Sequence, residues 1–269
     1  MNIGTDSGTA FHSVELLALG DTAWTVEFGA RIDPSVHERV LGLAALLDER
    51  RAAARAGGDS ESDRFGAIVD VVPTFRSLTV HYDPMRCEGG DLGRELLGLA
   101  AKAGRTSVPG RQWHLPVCFD EALAPDLADL ARARQLSPEE VVELMTRTEF
   151  RVYMIGFMPG FPYMGGLPAA LQMPRLASPR NAVPERSLAV ANEMCAVYPW
   201  ESPGGWRLLG RTPVPMFCAT EASPSLLSPG DRVRWRRIDR ATYDAMEAAA
   251  RGGGFDRASL QVAGGLEGR

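Results

Sequence analysis

Hydrophobic and polar residues follow two different periods in the first third of the chain. Short runs of β-branched and aromatic residues predict four strands, which cover 14–19, 23–28, 65–72 and 77–82. Apolar residues three or four positions apart predict two amphipathic helices. One begins at Pro34 behind the capping residue Asp33, and the other covers 90–103. The order β-β-α-β-β-α predicts an α+β N-terminal domain, residues 1–104, with helices on one face of a small antiparallel sheet.

Two segments of this part have no periodic pattern. Residues 50–64 are rich in Ala, Gly, Ser and charge, which predicts a mobile loop. Residues 104–110 resemble a linker, and the character of the chain changes after them. We therefore expect a second domain over 105–269.

The second domain is predicted to be mainly β. A strand at 113–119 precedes helices at 125–134 and 137–148, and the second of these begins with the capping box of Ser137 and Glu140. Short apolar runs separated by Pro and Gly then predict a β-barrel or sandwich with long, ordered loops. These runs are 150–155, 188–191, 196–198, 206–209, 214–218 and 232–238. A short helix at 242–251 closes the pattern, and the Gly-rich remainder predicts a frayed tail.

The stretch from Gly156 to Pro168 interrupts these runs with glycine and proline alternating with large aromatic residues. Glycine admits unusual backbone angles and proline fixes φ, so such a stretch is neither a helix nor a flexible linker. Phe157, Phe161 and Tyr163 supply rigid apolar area that has to be buried. We expect a fixed loop under tight steric control.

Composition narrows the class of protein. A chain of 269 residues with 45% hydrophobic content can bury the cores of about two domains, and its net charge of −5 argues against a nucleic-acid partner. Residues 1–13 contain no signal pattern and no long apolar run occurs, so we expect a cytoplasmic protein without membrane association. The four cysteines lack CxxC spacing, which predicts free thiols and no metal site. They are Cys87, Cys118, Cys195 and Cys218.

Three arginines beside proline or glycine are candidates for binding an anion. Arg175, Arg180 and Arg211 would present fixed guanidinium groups suited to a carboxylate or a phosphate. The alternative is that they pair with acidic side chains and hold loop carbonyls. Both interpretations stay open for each arginine taken alone.

The remaining candidates are a polar turn and two tyrosines. Residues 202–205, Ser-Pro-Gly-Gly, could offer a hydroxyl and backbone N–H groups to an anion, or form a tight turn before a strand that begins at Trp206. Tyr163 and Tyr198 could hydrogen-bond a ligand, or satisfy their hydroxyls on the backbone. The complete set of predicted substrate-binding residues is Phe157, Pro159, Phe161, Tyr163, Arg175, Arg180, Tyr198, Ser202, Gly204, Gly205 and Arg211.

Familiar catalytic machinery is missing from the sequence. It contains neither a G-x-S-x-G nor an HExxH pattern, and its histidines (His12, His37, His81 and His114) lie outside residues 150–213. Lys102, the only lysine, lies on a predicted solvated helix face and outside any P-loop or biotin-carrier pattern. Any ATP must therefore bind without a P-loop, and the catalytic residues cannot be named from the sequence.

Five motifs occur in an order that is typical of one family. They are Gly20-Asp21 with Val26-Glu27-Phe28-Gly29, Val72-Pro73-Thr74-Phe75-Arg76-Ser77-Leu78 with Val80-His81-Tyr82-Asp83-Pro84, Gly156-Phe157-Met158-Pro159-Gly160-Phe161-Pro162-Tyr163, Ser202-Pro203-Gly204-Gly205-Trp206 and Gly210-Arg211-Thr212-Pro213. From about Glu15 to Ile238 the chain resembles the KipI/PxpB family, also called allophanate-hydrolase subunit 1 or carboxyltransferase subdomain C/D.

This resemblance implies a fold, a partner and two classes of function. The fold is a small α+β domain followed by a cyclophilin-like β-barrel, and the partner is a KipA/PxpC-type second subunit, with a PxpA-like third protein in 5-oxoprolinases. The first function is that of a subunit in an ATP-dependent amide or lactam hydrolase, 5-oxoprolinase-like or related to carboxyl transfer, that binds a small carboxylate. The second is a non-catalytic module, either a histidine-kinase inhibitor of the KipI type or a diverged scaffold.

The chain departs from the family pattern at several polar positions. Met145 stands where relatives commonly have histidine. Residues 183–187 read Val-Pro-Glu-Arg-Ser where relatives have Val-Pro-Ala-Gly-Ser, and residues 192–199 read Asn-Glu-Met-Cys-Ala-Val-Tyr-Pro where relatives have Gly-Arg-Gln-Thr-Gly-Ile-Tyr-Pro. Met194 and Cys195 would make a substrate-facing wall less polar, which predicts a more apolar substrate or lost catalysis. Asn192 can adopt the left-handed conformation in place of glycine.

Overall fold

A computed structural model describes residues 14–57, 63–103 and 110–262. The chain divides into two compact units, Met1–Val108 and Pro109–Arg269. The predicted linker at 104–110 lies outside the described residues except for Gly110, as do His12 and the rest of residues 1–13. None of the described helices is long and apolar enough to cross a membrane.

The first unit is an antiparallel sheet with helices packed on one face. Its strands are β1 Glu15–Ala18, β2 Ala23–Glu27, β3 Ile68–Pro73 and β4 Ser77–Tyr82, in the spatial order β1-β2-β4-β3. Its helices are α1 Pro34–Arg55, α2 Asp63–Gly66 and α3 Gly89–Lys102. Alternate residues of β2 and β4, such as Val26, Leu78 and Val80, pack against Leu43 of α1 and Leu96 of α3. Apolar residues two positions apart along the strands and three or four positions apart along the helices thus pack together in one core.

Two predictions for this unit are wrong at their boundaries. Helix α1 continues to Arg55, into the segment predicted to be a loop, because Ala and Arg favour helix even where the apolar stripe has ended. Residues 58–62 of that segment lie outside the description. The strand predicted from Phe65 begins at Ile68, since Phe65 reaches the core from the turn of helix α2. A short apolar run alone does not show whether its first residues belong to a strand or to a helical turn.

The second unit is a closed barrel of seven strands, as the fold class predicted. Around the barrel the order is β10-β7-β6-β13-β5-β12-β9, with β13 and β5 parallel and all other neighbours antiparallel. Strands β8 and β11 form a separate two-stranded sheet. The bounds are β5 Gln112–Cys118, β6 Glu149–Ile155, β7 Pro162–Gly165, β8 Arg180–Val183, β9 Ser187–Ala191, β10 Met194–Val197, β11 Ser202–Gly204, β12 Arg207–Arg211 and β13 Arg232–Ile238.

Alternation along the strands fills the barrel. In β13 the apolar residues Val233 and Trp235 point into the core, whereas Arg232, Arg234 and Arg236 are exposed. The helices of the unit are α4 Leu127–Ala133, α5 Pro138–Arg147 and α6 Arg240–Arg251, with short 3-10 turns at Glu121–Leu123, Ala169–Leu171 and Arg257–Leu260. The capping box predicted at the start of α5 is confirmed, with Ser137 and Glu140 bonding reciprocally.

The sequence mispredicted several segments of this unit. Residues 214–218 form only an isolated bridge, between Phe217 and Ser225, because proline at positions 213 and 215 cannot donate to a ladder. Strands β7, β8 and β11 lie in Pro- and Gly-rich stretches whose pairing has no apolar signature of its own. The tail predicted after Arg251 contains an ordered turn, and Gln261 pairs with Trp113; residues 263–269 lie outside the description.

Candidate functional site

Five aromatic rings from three segments of the barrel unit pack around Phe161. We call Phe157, Phe161, Tyr163, Tyr198 and Trp206 the aromatic cluster. The ring centre of Phe161 lies 4.9 Å from that of Tyr163, 5.2 Å from that of Tyr198 and 5.8 Å from that of Trp206. Most of these pairs are edge-to-face, the arrangement that ring quadrupoles favour. The loop motif and the Ser-Pro-Gly-Gly-Trp motif therefore meet at one place.

The loop of the cluster is held in an unusual conformation at its tip. Phe157 has a φ of 66°, in the left-handed region that disfavours bulky side chains. Phe157 is 65% exposed, and its ring lies edge-to-face with that of Phe161, with centres 5.4 Å apart. Pro159 is also exposed, whereas Gly160 packs its backbone on Phe217 and Met216. An exposed aromatic ring on a strained backbone is typical of a functional contact.

Arg175 lies at the polar edge of the aromatic cluster. Arg175 is exposed and its guanidinium carbon lies over the Trp206 ring, 5.8 Å from the ring centre, and its charge acts on the hydroxyls of both Tyr163 and Tyr198. Within residues 14–57, 63–103 and 110–262 it makes no ion pair. Burial raises the pKa of Tyr163 and of Tyr198, so both remain neutral phenols at physiological pH. The edge thus combines one cation with two phenols.

Arg180 is engaged by the protein itself. Its guanidinium lies 2.6 Å from the Oδ1 of Asp126 and donates to the carbonyl of Trp206 at 3.4 Å. The buried carboxylate of Asp126 also accepts from the backbone N–H of Leu208. Of the two interpretations that the sequence left open, the structure supports for Arg180 the one in which the arginine pairs with an acidic side chain and holds a loop carbonyl.

Arg211 lies at the other end of strand β12 from Trp206. It lies four positions after Arg207 in the strand, roughly 13 Å along the chain. Its charge acts on the hydroxyl of the buried Tyr243 in helix α6, and its Nε is buried without a hydrogen-bond partner in the described part of the chain. The structure thus brings Arg175 and Arg180 to the aromatic cluster but places Arg211 elsewhere.

The surroundings of Arg211 were not predicted from the sequence. Arg186 is buried there and lies 3.2 Å from Glu247 and 2.6 Å from Glu185, while the Tyr243 hydroxyl donates to Glu247 at 3.0 Å. We call Glu185, Arg186, Arg211, Tyr243 and Glu247 the α6 cluster. Burial and the nearby Glu247 charge raise the pKa of Tyr243 to about 12. Local sequence carries no signal for this cluster, because Arg186 and Glu247 are 61 positions apart.

The segment 202–205 is not the tight turn that the sequence offered as one interpretation, and its other interpretation, as a contact for an anion, stays a prediction. Ser202 to Gly204 are strand β11, which pairs with β8 through Ser202 and Val183 and through Gly204 and Arg180. The Ser202 hydroxyl is buried without a hydrogen-bond partner in the described residues. A Cβ on Gly204 would clash with the Tyr198 hydroxyl, and Gly205 lies beside Arg175. These glycines allow the backbone to approach the cluster closely.

The departures from the family pattern lie mostly in the barrel core. Met145 and Cys195 are fully buried among core residues, with the Cys195 thiol beside the Trp235 indole and Met194 nearly buried next to it. In this structure they do not form an open wall facing a substrate. Asn192 adopts a φ of 50°, so the prediction that asparagine replaces glycine in the left-handed conformation is confirmed.

Comparison with known families matches most of the chain. The family model for the carboxyltransferase domain, subdomain C and D, matches residues 14–227. The chain belongs to this family. The assignment confirms the resemblance inferred from the motifs. Within the described residues of this carboxyltransferase-domain protein, no group of three or more His, Cys, Asp or Glu could hold a metal ion.

Two relatives are similar to this chain over more than 90% of their own length. The chain is 45% identical over 217 residues to a protein of Escherichia coli O157:H7 that is named as a subunit of 5-oxoprolinase, covering 81% of this chain and 93% of that protein. It is 35% identical over 241 residues to the Bacillus subtilis protein of the same name, covering 84% of this chain and 94% of that one.

Solved structures show the same fold. The crystal structure of TTHA0988 matches 80% of this chain with a TM-score of 0.67 and 35% identity. The matched part is only 40% of the TTHA0988 chain. The Kluyveromyces lactis urea carboxylase matches with a TM-score of 0.69 over 90% of this chain and 23% of its own. At 18% identity this second likeness shows the fold alone.

Proposed function

We propose that this protein is a subunit of a 5-oxoprolinase-like assembly that opens an amide or lactam at the expense of ATP. Two relatives named as 5-oxoprolinase subunits, at 35% and 45% identity over more than 90% of their length, support the assembly. In this proposal the barrel unit binds a small carboxylate or lactam substrate at the aromatic cluster, and a KipA/PxpC-type subunit completes the site. A PxpA-like third subunit is part of the proposed assembly.

The observation that carries the substrate class is the environment of Arg175. The guanidinium lies over the Trp206 ring, is exposed and makes no ion pair within the described residues, so the N–H groups along its edge are available to a ligand. A carboxylate can accept two parallel hydrogen bonds from that edge. Tyr163, half-buried beside Arg175, adds a neutral phenol to the same edge and no opposing charge. The site therefore suits a small anion bound at this exposed polar edge, since Phe161, Tyr198 and Trp206 are themselves buried.

Arg180 takes a supporting part in the same proposal. Its ion pair with Asp126 and its bond to the Trp206 carbonyl hold the residue on which Arg175 stacks. Its positive charge also reaches the Tyr198 hydroxyl. Ser202, with a buried hydroxyl, and the close backbone of Gly204 and Gly205 remain proposed contacts at the same edge.

The second subunit is needed for the chemistry. The aromatic cluster and its arginines contain cations and neutral phenols but no carboxylate or imidazole that could act as a general base near neutral pH. The sequence has no P-loop, so we place ATP binding on the partner or at its junction with this chain. In this proposal the barrel unit binds and orients the substrate, and the partner supplies the groups that activate it.

Reconstitution tests the proposed function. The chain is purified with its KipA/PxpC-type and PxpA-like subunits, and ATP hydrolysis is measured with and without 5-oxoproline and a series of related lactams. We expect ATP turnover that depends on one of these compounds. A stable complex whose ATP turnover responds to none of them would contradict the proposal.

A second candidate function is a protein-binding module of the kinase-inhibitor kind. Two large aromatic side chains favour it, since Phe157 is 65% and Trp200 is 46% exposed in the barrel unit. Binding of a purified sensor histidine kinase, weakened by Phe157→Ala and Trp200→Ala together, would support this candidate. Unchanged kinase autophosphorylation at saturating protein would contradict it.

A further inference from the structure

Arg186 combines two unfavourable features in one residue. Its φ is 64°, in the left-handed region that favours glycine, and only 5% of the residue is exposed. A strained backbone carrying a buried cation persists only where its surroundings fix it firmly.

The side chain of Arg186 connects the barrel to helix α6. Its guanidinium donates to the carbonyl of Pro213 at 3.0 Å, to Glu185 at 2.6 Å and to Glu247 at 3.2 Å. Glu247 belongs to α6 and also accepts from the hydroxyl of Tyr243 at 3.0 Å. Tyr243 is the residue through which α6 is buried. Glu247 thus joins Arg186 of the barrel to Tyr243, which also packs with Cys118 and Leu123.

The backbone of Arg186 connects the same point to the aromatic cluster. Its N–H donates to the carbonyl of Tyr198 at 2.5 Å, and the N–H of Tyr198 donates to the carbonyl of Ser187 at 3.0 Å. The carbonyl of Arg186 accepts from Thr212 at 3.0 Å. Tyr198 is thus fixed on both sides of its peptide by residues 186 and 187.

Tyr198 in turn holds the floor of the site. Its ring packs on Phe161, and its hydroxyl lies against Gly204, close to the backbone of Trp206. Trp206 is the ring over which Arg175 stacks. A shift of Tyr198 would therefore move the indole that orients the free guanidinium.

We propose that Arg186 is a positioning residue for the carboxylate site, acting through Tyr198 and secured by Glu247 of α6. The inference rests on the proposed role of Arg175 in binding a carboxylate. Arg186 itself does not touch the ligand, because it is buried and its guanidinium is engaged by Glu185, Glu247 and Pro213. Its effect is on the geometry of Trp206 and the phenol beside it.

Two variants and a matched control test this role. Arg186→Gly accepts the left-handed backbone and removes the guanidinium, and Glu247→Gln weakens the tie from the α6 side. Asp244→Asn is the control, because it removes an exposed ion pair with Arg240 on the same helix. The chain is labelled with 3-fluorotyrosine, and the Tyr198 resonance among the five tyrosines is assigned with Tyr198→Phe. Calorimetry then measures 5-oxoproline binding to the reconstituted complex.

We expect Arg186→Gly and Glu247→Gln to shift the Tyr198 resonance and to weaken 5-oxoproline binding by about tenfold, whereas Asp244→Asn changes neither. An unchanged Tyr198 resonance with wild-type binding in both variants would overturn the positioning role alone. Absence of 5-oxoproline binding to the wild-type complex would overturn the proposed function and with it this role. Should Arg186→Gly fail to fold, Glu247→Gln decides.

Discussion

Two arginine-rich regions of the barrel unit differ in how their charge is used. At the aromatic cluster, Arg175 is exposed and stacked on a ring, with its donors open. In the α6 cluster, Arg186 is buried and its donors are taken by two carboxylates and a carbonyl. The free guanidinium is suited to a ligand, and the engaged one is suited to holding the fold. We therefore propose that arginine serves recognition at the aromatic cluster, whereas in the α6 cluster it holds the fold.

The largest expected effect separates the two regions by stability. Arg186→Ala leaves Glu247 without its buried cation and keeps a non-glycine residue at a φ of 64°. We expect a loss of about 3 kcal/mol in the free energy of unfolding, measured by urea denaturation. Arg132→Ala, which removes an exposed pair on helix α4, is the control and should cost less than about 0.5 kcal/mol. Equal losses in the two variants would contradict the claim that the buried Arg186 stabilises the fold more than an exposed ion pair does.

A smaller effect concerns the pH dependence of the α6 cluster. The pKa of Tyr243 is raised to about 12 in the fold, above the value of about 10 for an unfolded tyrosine. The fold therefore favours the neutral phenol, and the stability it contributes is complete below pH 10 and is lost as the pH rises towards 12. We expect Tyr243→Phe to lose about 1 kcal/mol less than the wild type over this interval. Parallel stability curves for the two proteins would contradict the assignment.

The smallest expected effect on stability lies at the tip of the loop. The Phe157 ring is largely exposed, so Phe157→Ala should change the free energy of unfolding by no more than about 0.5 kcal/mol. Phe161→Ala, four residues away at the centre of the cluster, should cost about 3 kcal/mol or more. Thermal and urea unfolding of both variants measure the difference. A large loss for Phe157→Ala would show that this ring supports the loop.

The elements that could be predicted from sequence are those with a local cause. The capping box of Ser137 and Glu140 and the alternation along β13 each depend on residues a few positions apart. The left-handed conformation of Asn192 could also be predicted from that residue alone. The strands in Pro- and Gly-rich stretches were missed because pairing with a distant partner, and not an apolar run, defines them.

The candidate site was predicted as a set of residues, but not as a geometry. Arg175, Arg180 and Arg211 all stand beside proline or glycine, and their sequence context does not separate them. What distinguishes the three arginines is the partners that they contact from distant parts of the chain. Asp126, which engages Arg180, is 54 positions away, and the α6 cluster at Arg211 is built from a helix later in the chain. Their roles became distinct only when these partners were in place.

The most direct test of the account is 5-oxoproline binding by Arg175→Ala in the reconstituted complex, measured by calorimetry beside Arg132→Ala. We predict that Arg175→Ala weakens binding at least about tenfold, since it removes a charge-assisted pair of hydrogen bonds, while Arg132→Ala binds as the wild type does. The melting temperature of both variants should stay within about 2 °C of the wild type. Binding by Arg175→Ala with wild-type affinity would contradict the central claim that this open guanidinium recognises the substrate carboxylate.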